Sequence, residues 1–137
     1  MRFYRFELTF DGEPQDVGIF QGLDDAVPNE ASYLSDELFS ELLYPVVDAD
    51  FLYEPLCCWF TETGLGHFVS ELQTLSSYLD EAGWGICAAV IEAAPENAVY
   101  LDRDQAVFTV EYLQKGYEMV EIGRIEDTIK LSPSAVY

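Results

Sequence analysis

The chain has 137 residues, of which 26 are acidic and 6 basic, for a formal net charge of −20. Half of the residues are apolar and 15% are aromatic, so the negative charge belongs to a folded body and not to a disordered acidic tail. A chain of this length buries a sizeable core without metal or disulfide staples, and the expected organisation is one domain over residues 1–137 with a loose tail at 124–137.

The first residues alternate in polarity and do not form a continuous apolar stretch, which argues against a secretory signal. The longest apolar run, near residues 86–91, falls far short of the ~20 residues of a membrane span. Three cysteines, two of them adjacent at Cys57 and Cys58, do not make a secreted disulfide framework. A reducing cytoplasm is the expected setting, with no membrane partner.

In chain order, residues 2–10 alternate, with Tyr4, Phe6, Leu8 and Phe10 on one face and Arg5, Glu7 and Thr9 on the other, which predicts a half-buried strand. Asp11, Gly12, Glu13 and Pro14 predict a turn, and residues 17–20 a returning strand. Residues 22–29 read as a loop. From Glu30 the apolar positions Leu34, Leu38 and Leu42, with Phe39 and Leu43, recur at helical spacing until Pro45.

The cluster Leu56, Cys57, Cys58, Trp59 and Phe60 predicts a buried strand. Thr61 is a candidate N-cap for a helix over 62–81, with the stripe Leu65, Phe68, Val69, Leu72, Leu75 and Leu79 and an αL stop at Gly83. Residues 84–91 predict a central strand buried on both faces. Strands follow at 98–101 and 106–112, and 117–122 carries a further short strand pattern. The order β-β-α-β-α-β-β-β predicts an α+β fold, one mixed, mainly antiparallel sheet packed against two helices.

Catalytic signatures are sparse. His67 is the only histidine, lies beside an apolar stripe, and is expected to be structural. A nucleophilic set of Cys57 or Cys58 with His67 needs the fold to bring them together. Asp48, Asp50 and Glu54, and Asp102 with Asp104, lack the spacing of a calcium loop, and Cys and His are too few for a structural zinc site. The glycines match no phosphate-binding loop, so no cofactor and no metal are expected, and a non-enzymatic role is. A small enzyme using two carboxylates or a thiolate is the third alternative.

Charge placement is more informative. Between Arg5 and Arg103 there is no lysine or arginine, while residues 6–102 hold 20 acids. Direct nucleic-acid binding, which needs a basic patch, is disfavoured. Carboxylates two apart on a strand lie roughly 6.6 Å apart, and those at i, i+4 on a helix about 5–6 Å, spacings that imitate a phosphate backbone. Such rows are Asp11 with Glu13, Asp48 with Asp50, Asp102 with Asp104, and Glu37 with Glu41 beside Asp36. The candidate acidic surface comprises Asp24, Asp25, Asp36, Glu37, Glu41, Asp48, Asp50 and Glu54.

In charge character and size alone, the chain resembles the small acidic phage and mobile-element proteins that mimic DNA against host defence, the anti-restriction and anti-CRISPR proteins. The resemblance rests on no motif and assigns no residue. It implies an inhibitor that engages a basic protein surface, such as the nucleic-acid channel of a CRISPR nuclease. The alternative is an interaction domain whose acidity only aids solubility and whose contacts are aromatic, with Tyr33, Tyr44, Tyr53 and Tyr78 as candidates and Phe6, Phe10, Trp59 and Phe68 assigned to the core.

Overall fold

The computed structural model describes residues 1–11, 13–19, 29–51, 53–113 and 118–120. The elements are β1 (Arg2–Phe10), β2 (Glu13–Gly18), α1 (Asn29–Leu38), β3 (Leu56–Thr61), α2 (Glu62–Asp80), β4 (Trp84–Glu92), β5 (Tyr100–Leu101), β6 (Gln105–Thr109), the single-turn α3 (Val110–Leu113) and β7 (Glu118–Val120). The fold is α+β. The strands form one sheet of order β5-β6-β3-β1-β4-β7, with β2 also on β1; the sheet was expected to be mainly antiparallel, and every pairing among the described residues is. The tail 124–137 lies outside the described residues.

β1 is the axis of the sheet. It pairs with β4 along its whole length, from Arg2 opposite Glu92 to Phe10 opposite Trp84. Its other edge is divided: β3 pairs at Phe3 and Tyr4, and β2 pairs from Glu7 to Phe10. Arg5 and Phe6 therefore sit at a fork where β2 and β3 part.

The alternation of β1 places Tyr4, Phe6 and Leu8 under α2, in a core with Phe60, Leu65, Phe68, Leu72, Leu75, Leu79 and Ile86. The other face is buried too, contrary to the half-buried expectation. Phe3 packs edge-on against Phe108 at 5.1 Å, beside Trp59, Ala89 and Ile91. Phe10, expected in the core, lies at the strand end, half exposed against Trp84.

Phe10 opposite Glu13 leaves a two-residue Asp-Gly connection, with Asp11 at φ 50°, the left-handed region that tight hairpins use. The returning strand therefore begins at Glu13, ahead of the expected 17–20. The Asp11 N–H donates to the Gly83 carbonyl (3.2 Å), tying the hairpin tip to the α2–β4 turn. The Gly83 N–H donates to the Asp80 carbonyl, and its φ of 82° turns the chain out of the helical path after α2.

At the other end of α2, Thr61 Oγ1 accepts from the Gly64 N–H at 2.9 Å and donates to the Arg103 carbonyl at 2.6 Å. This cap starts the helix and also fixes it to the β5–β6 turn. α1 stops at Leu38, short of Pro45, because Phe39 turns into the core between Phe60 and Phe68 and an i+3 bond from the Leu42 N–H to the Phe39 carbonyl tightens the chain. β6 ends at Thr109 and not at 112: the Thr109 hydroxyl accepts from the Tyr112 N–H, and Tyr112 folds back to stack on Phe108.

Candidate protein-interaction surface

Residues 39–55 connect α1 to β3, and their described residues hold one short 3₁₀ turn (Ala49–Phe51) of regular structure, an unusually long connection for a compact fold. Both ends are fastened. At the start, Phe39 is buried, Leu42 packs on the core, and the Gln105 side-chain amide donates to the Leu43 carbonyl. At the finish, the Pro55 carbonyl accepts from the Val110 N–H at 3.0 Å. Between these points, most of the described side chains are exposed.

The side chains that this connection and the preceding α1 present are unusual. Among the described residues, the five most exposed large apolar side chains are Tyr33, Leu43, Tyr44, Val46 and Tyr53, with Tyr44 89% and Tyr53 97% accessible. Interleaved with them are Asp36 and Glu37 on α1 and Glu41, Asp48, Asp50 and Glu54 in the connection, all exposed. Six of the eight acids selected from the sequence thus lie within residues 33–54, and the structure shows each of the six to be exposed. Asp24 and Asp25 lie outside the described residues.

The described bases do not neutralise this segment. Arg2 pairs with Glu92 at 2.8 Å, the Arg5 Nε lies 3.4 Å from Glu7, and Arg103 pairs with Asp104 at 3.3 Å. Asp36, Glu37, Asp48, Asp50 and Glu54 have no ion-pair partner among the described residues. Glu41 is the exception, 3.7 Å from His67 Nε2. Because α1 ends before it, Glu41 does not form the helical row with Glu37 that spacing suggested.

Asp102 and Asp104 do not form a free carboxylate row. Asp102 Oδ1 accepts from the N–H groups of Asp104 (2.8 Å) and Gln105 (2.9 Å), and Oδ2 accepts from Tyr100 at 2.7 Å. Burial pushes the Asp102 carboxyl up, but these donors outweigh it and hold it below the usual carboxylate range. Asp104 is buried and faces His67 Nδ1 at 3.2 Å, with Arg103 Nη2 the same distance from that nitrogen. His67 therefore fastens α2 to the β5–β6 turn and reaches the start of the 39–55 connection through Glu41. Only folding joins these positions, since His67 and Asp104 are 37 residues apart.

His67 makes no hydrogen bond to Cys57 or Cys58; Cys57 instead accepts from Arg5 Nη1. Burial raises the Cys57 thiol more than Arg5 lowers it, the opposite of an activated nucleophile, and Cys58 is exposed. Among the described residues, no three His, Cys, Asp or Glu side chains converge as metal ligands would. None of the described helices is long and apolar enough to cross a membrane.

Comparison with family models, with curated proteins and with solved structures finds no match to this chain.

Proposed function

We propose that the protein is a non-catalytic acidic binding protein that docks residues 33–54 onto a basic protein surface, in competition with the nucleic acid that surface normally holds. The observation that carries this reading is the coincidence, on one segment, of the most exposed tyrosines with unneutralised carboxylates. Stray exposed apolar groups are ordinary, but five large ones within 21 residues form an anchor set. Carboxylates steer a cationic partner to the surface, and tyrosine faces then take its Lys and Arg side chains by cation–π contact once water is expelled. A solubility coat accounts for the acids but not for Tyr44 and Tyr53 standing among them.

The partner that fits is a nucleic-acid enzyme whose Lys/Arg-lined channel is shaped for a row of phosphates, an RNA-guided nuclease being one such enzyme. The test is capture from bacterial lysate at low salt on immobilised protein, followed by a measurement of whether each captured enzyme still binds DNA or guide RNA. The expected result is a captured enzyme whose nucleic-acid binding is blocked. High salt, neutralisation of Asp36, Glu37, Asp48, Asp50 and Glu54 to their amides, or Tyr44→Ala with Tyr53→Ala should each relieve the block. If no basic protein is retained, or if retained enzymes bind nucleic acid unimpeded, the proposal fails.

A further inference from the structure

A second site lies at the fork of the sheet. Where β2 and β3 part from the edge of β1, a cavity of about 180 Å³ opens between Arg5, Phe6, Gly18, Ile19, Leu56, Cys57, Cys58 and Phe60. That is room for about six waters at ~30 Å³ each, the size of a short acyl chain or a single aromatic ring. Among the described lining residues, four side chains are apolar and Arg5 is the one that carries a charge.

Arg5 is the element that gives the cavity chemistry. Its guanidinium is mostly buried, its Nε lies 3.4 Å from Glu7 and its Nη1 donates to Cys57. No hydrogen bond to the described residues uses Nη2, the atom nearest Gly18. A Cβ at Gly18 would stand 3.2 Å from Nη2, so glycine keeps the space around that nitrogen open. A guanidinium carries five donors in a planar fork, so a carboxylate on the Nη2 side is compatible with Glu7 on the Nε side. In a chain of net charge −20, a part-buried arginine whose Nη2 has no hydrogen-bond partner among the described residues, set beside apolar walls, is a recognition element for an anion.

We infer that this cavity binds a small amphipathic monocarboxylate, its carboxylate on Arg5 Nη2 and its apolar body against Phe6, Ile19, Leu56 and Phe60. The inference stands on the fork and not on the 33–54 segment, so the two succeed or fail separately. The Glu7 charge nearby keeps affinity modest, with a Kd of about 0.1–1 mM.

The probes are hexanoate and, as its uncharged counterpart, hexanol, each titrated into the full chain and followed by amide NMR shifts. Hexanoate should move the amides of Arg5, Gly18 and Cys58 and slow alkylation of Cys58 by iodoacetamide, with hexanol at least tenfold weaker. Arg5→Gln combined with Glu7→Gln, which removes the ion pair without stranding a charge, should reduce hexanoate to the level of hexanol. Leu56→Trp, which fills the cavity and leaves Arg5 in place, should abolish both. Equal binding of the two probes would overturn the assignment of Arg5, and binding of neither, or hexanoate binding that survives Leu56→Trp, would overturn the site itself.

Discussion

Gly64, in the first turn of α2, lies directly beneath the backbone of Asp104. A Cβ at residue 64 would stand 2.6 Å from the Asp104 carbonyl carbon and 2.8 Å from its Cα, and closer still to its oxygen. The obstruction is backbone that is itself fixed, because the Asp104 carbonyl accepts from the Thr61 N–H at 3.0 Å and the neighbouring Arg103 carbonyl accepts from the Thr61 hydroxyl. The helix start and the β5–β6 turn thus approach each other as closely as two backbones can.

Gly64→Ala should therefore destabilise the protein by about 1–3 kcal/mol, the usual cost of overpacking, although alanine is the better helix former. Gly66→Ala, two residues on and so about 200° round the same helix, is the control and should be neutral or stabilising. Urea denaturation of both variants checks the prediction. Equal stability of the two would mean that the turn yields easily.

A second prediction concerns acid. Asp102 is held ionised in the fold by Tyr100 and by two backbone N–H groups, so its carboxyl is lowered from the ordinary value of about 3.9. A lowered folded-state value favours the ionised form. Its contribution to stability is thus fully present above pH ~4 and is lost as pH falls through the folded value. Asp102→Asn should cost about 1.5–3 kcal/mol near neutral pH, the range for hydrogen bonds to a charged group. The gap between the two proteins should persist down to about pH 4 and close below it. Denaturation of both across that range checks this, and a gap independent of pH would assign the effect to shape and not to charge.

Elements whose signals are local were legible in the sequence. The period-2 pattern of β1, the apolar run of β4, and α2 with its Thr61 cap, leucine stripe and Gly83 stop need only near neighbours to form. The end of α1 was not legible, because Leu42 and Leu43 continue the helical spacing while Phe39, drawn between Phe60 and Phe68, breaks the helix through tertiary packing.

The acids divide in the same way. Asp48 and Asp102 look alike in sequence, each followed two positions later by another aspartate. One is exposed, while the other organises a turn whose donors come from Tyr100 and the backbone. The tyrosines beside the acids could be named from sequence, but their near-complete exposure could not, since aromatic residues of the same kind fill the core at Tyr4 and Phe60. Arg5 and Cys57, 52 residues apart, carry no local trace of the cavity that they share.

Among the described residues, five exposed carboxylates have no ion-pair partner, and this sets how stability responds to salt. Asp36, Glu37, Asp48, Asp50 and Glu54 repel one another and the rest of a chain at −20, and repulsion opposes the compact state. Salt screens it, since the Debye length falls from about 30 Å at ~0.01 M to about 3 Å at ~1 M. The Tm should therefore rise with sodium chloride over that range, against the loss expected of a fold held by surface ion pairs. Changing the five residues to their amides should leave the protein as stable or more so at low salt, and should flatten the salt dependence. A surface selected only for folding would not keep charges whose removal stabilises it, so a gain in Tm together with a loss of partner capture would assign them to binding. A loss of stability in the variant would instead mean that these carboxylates hold contacts within the fold, and the proposed surface would have to be redrawn without them.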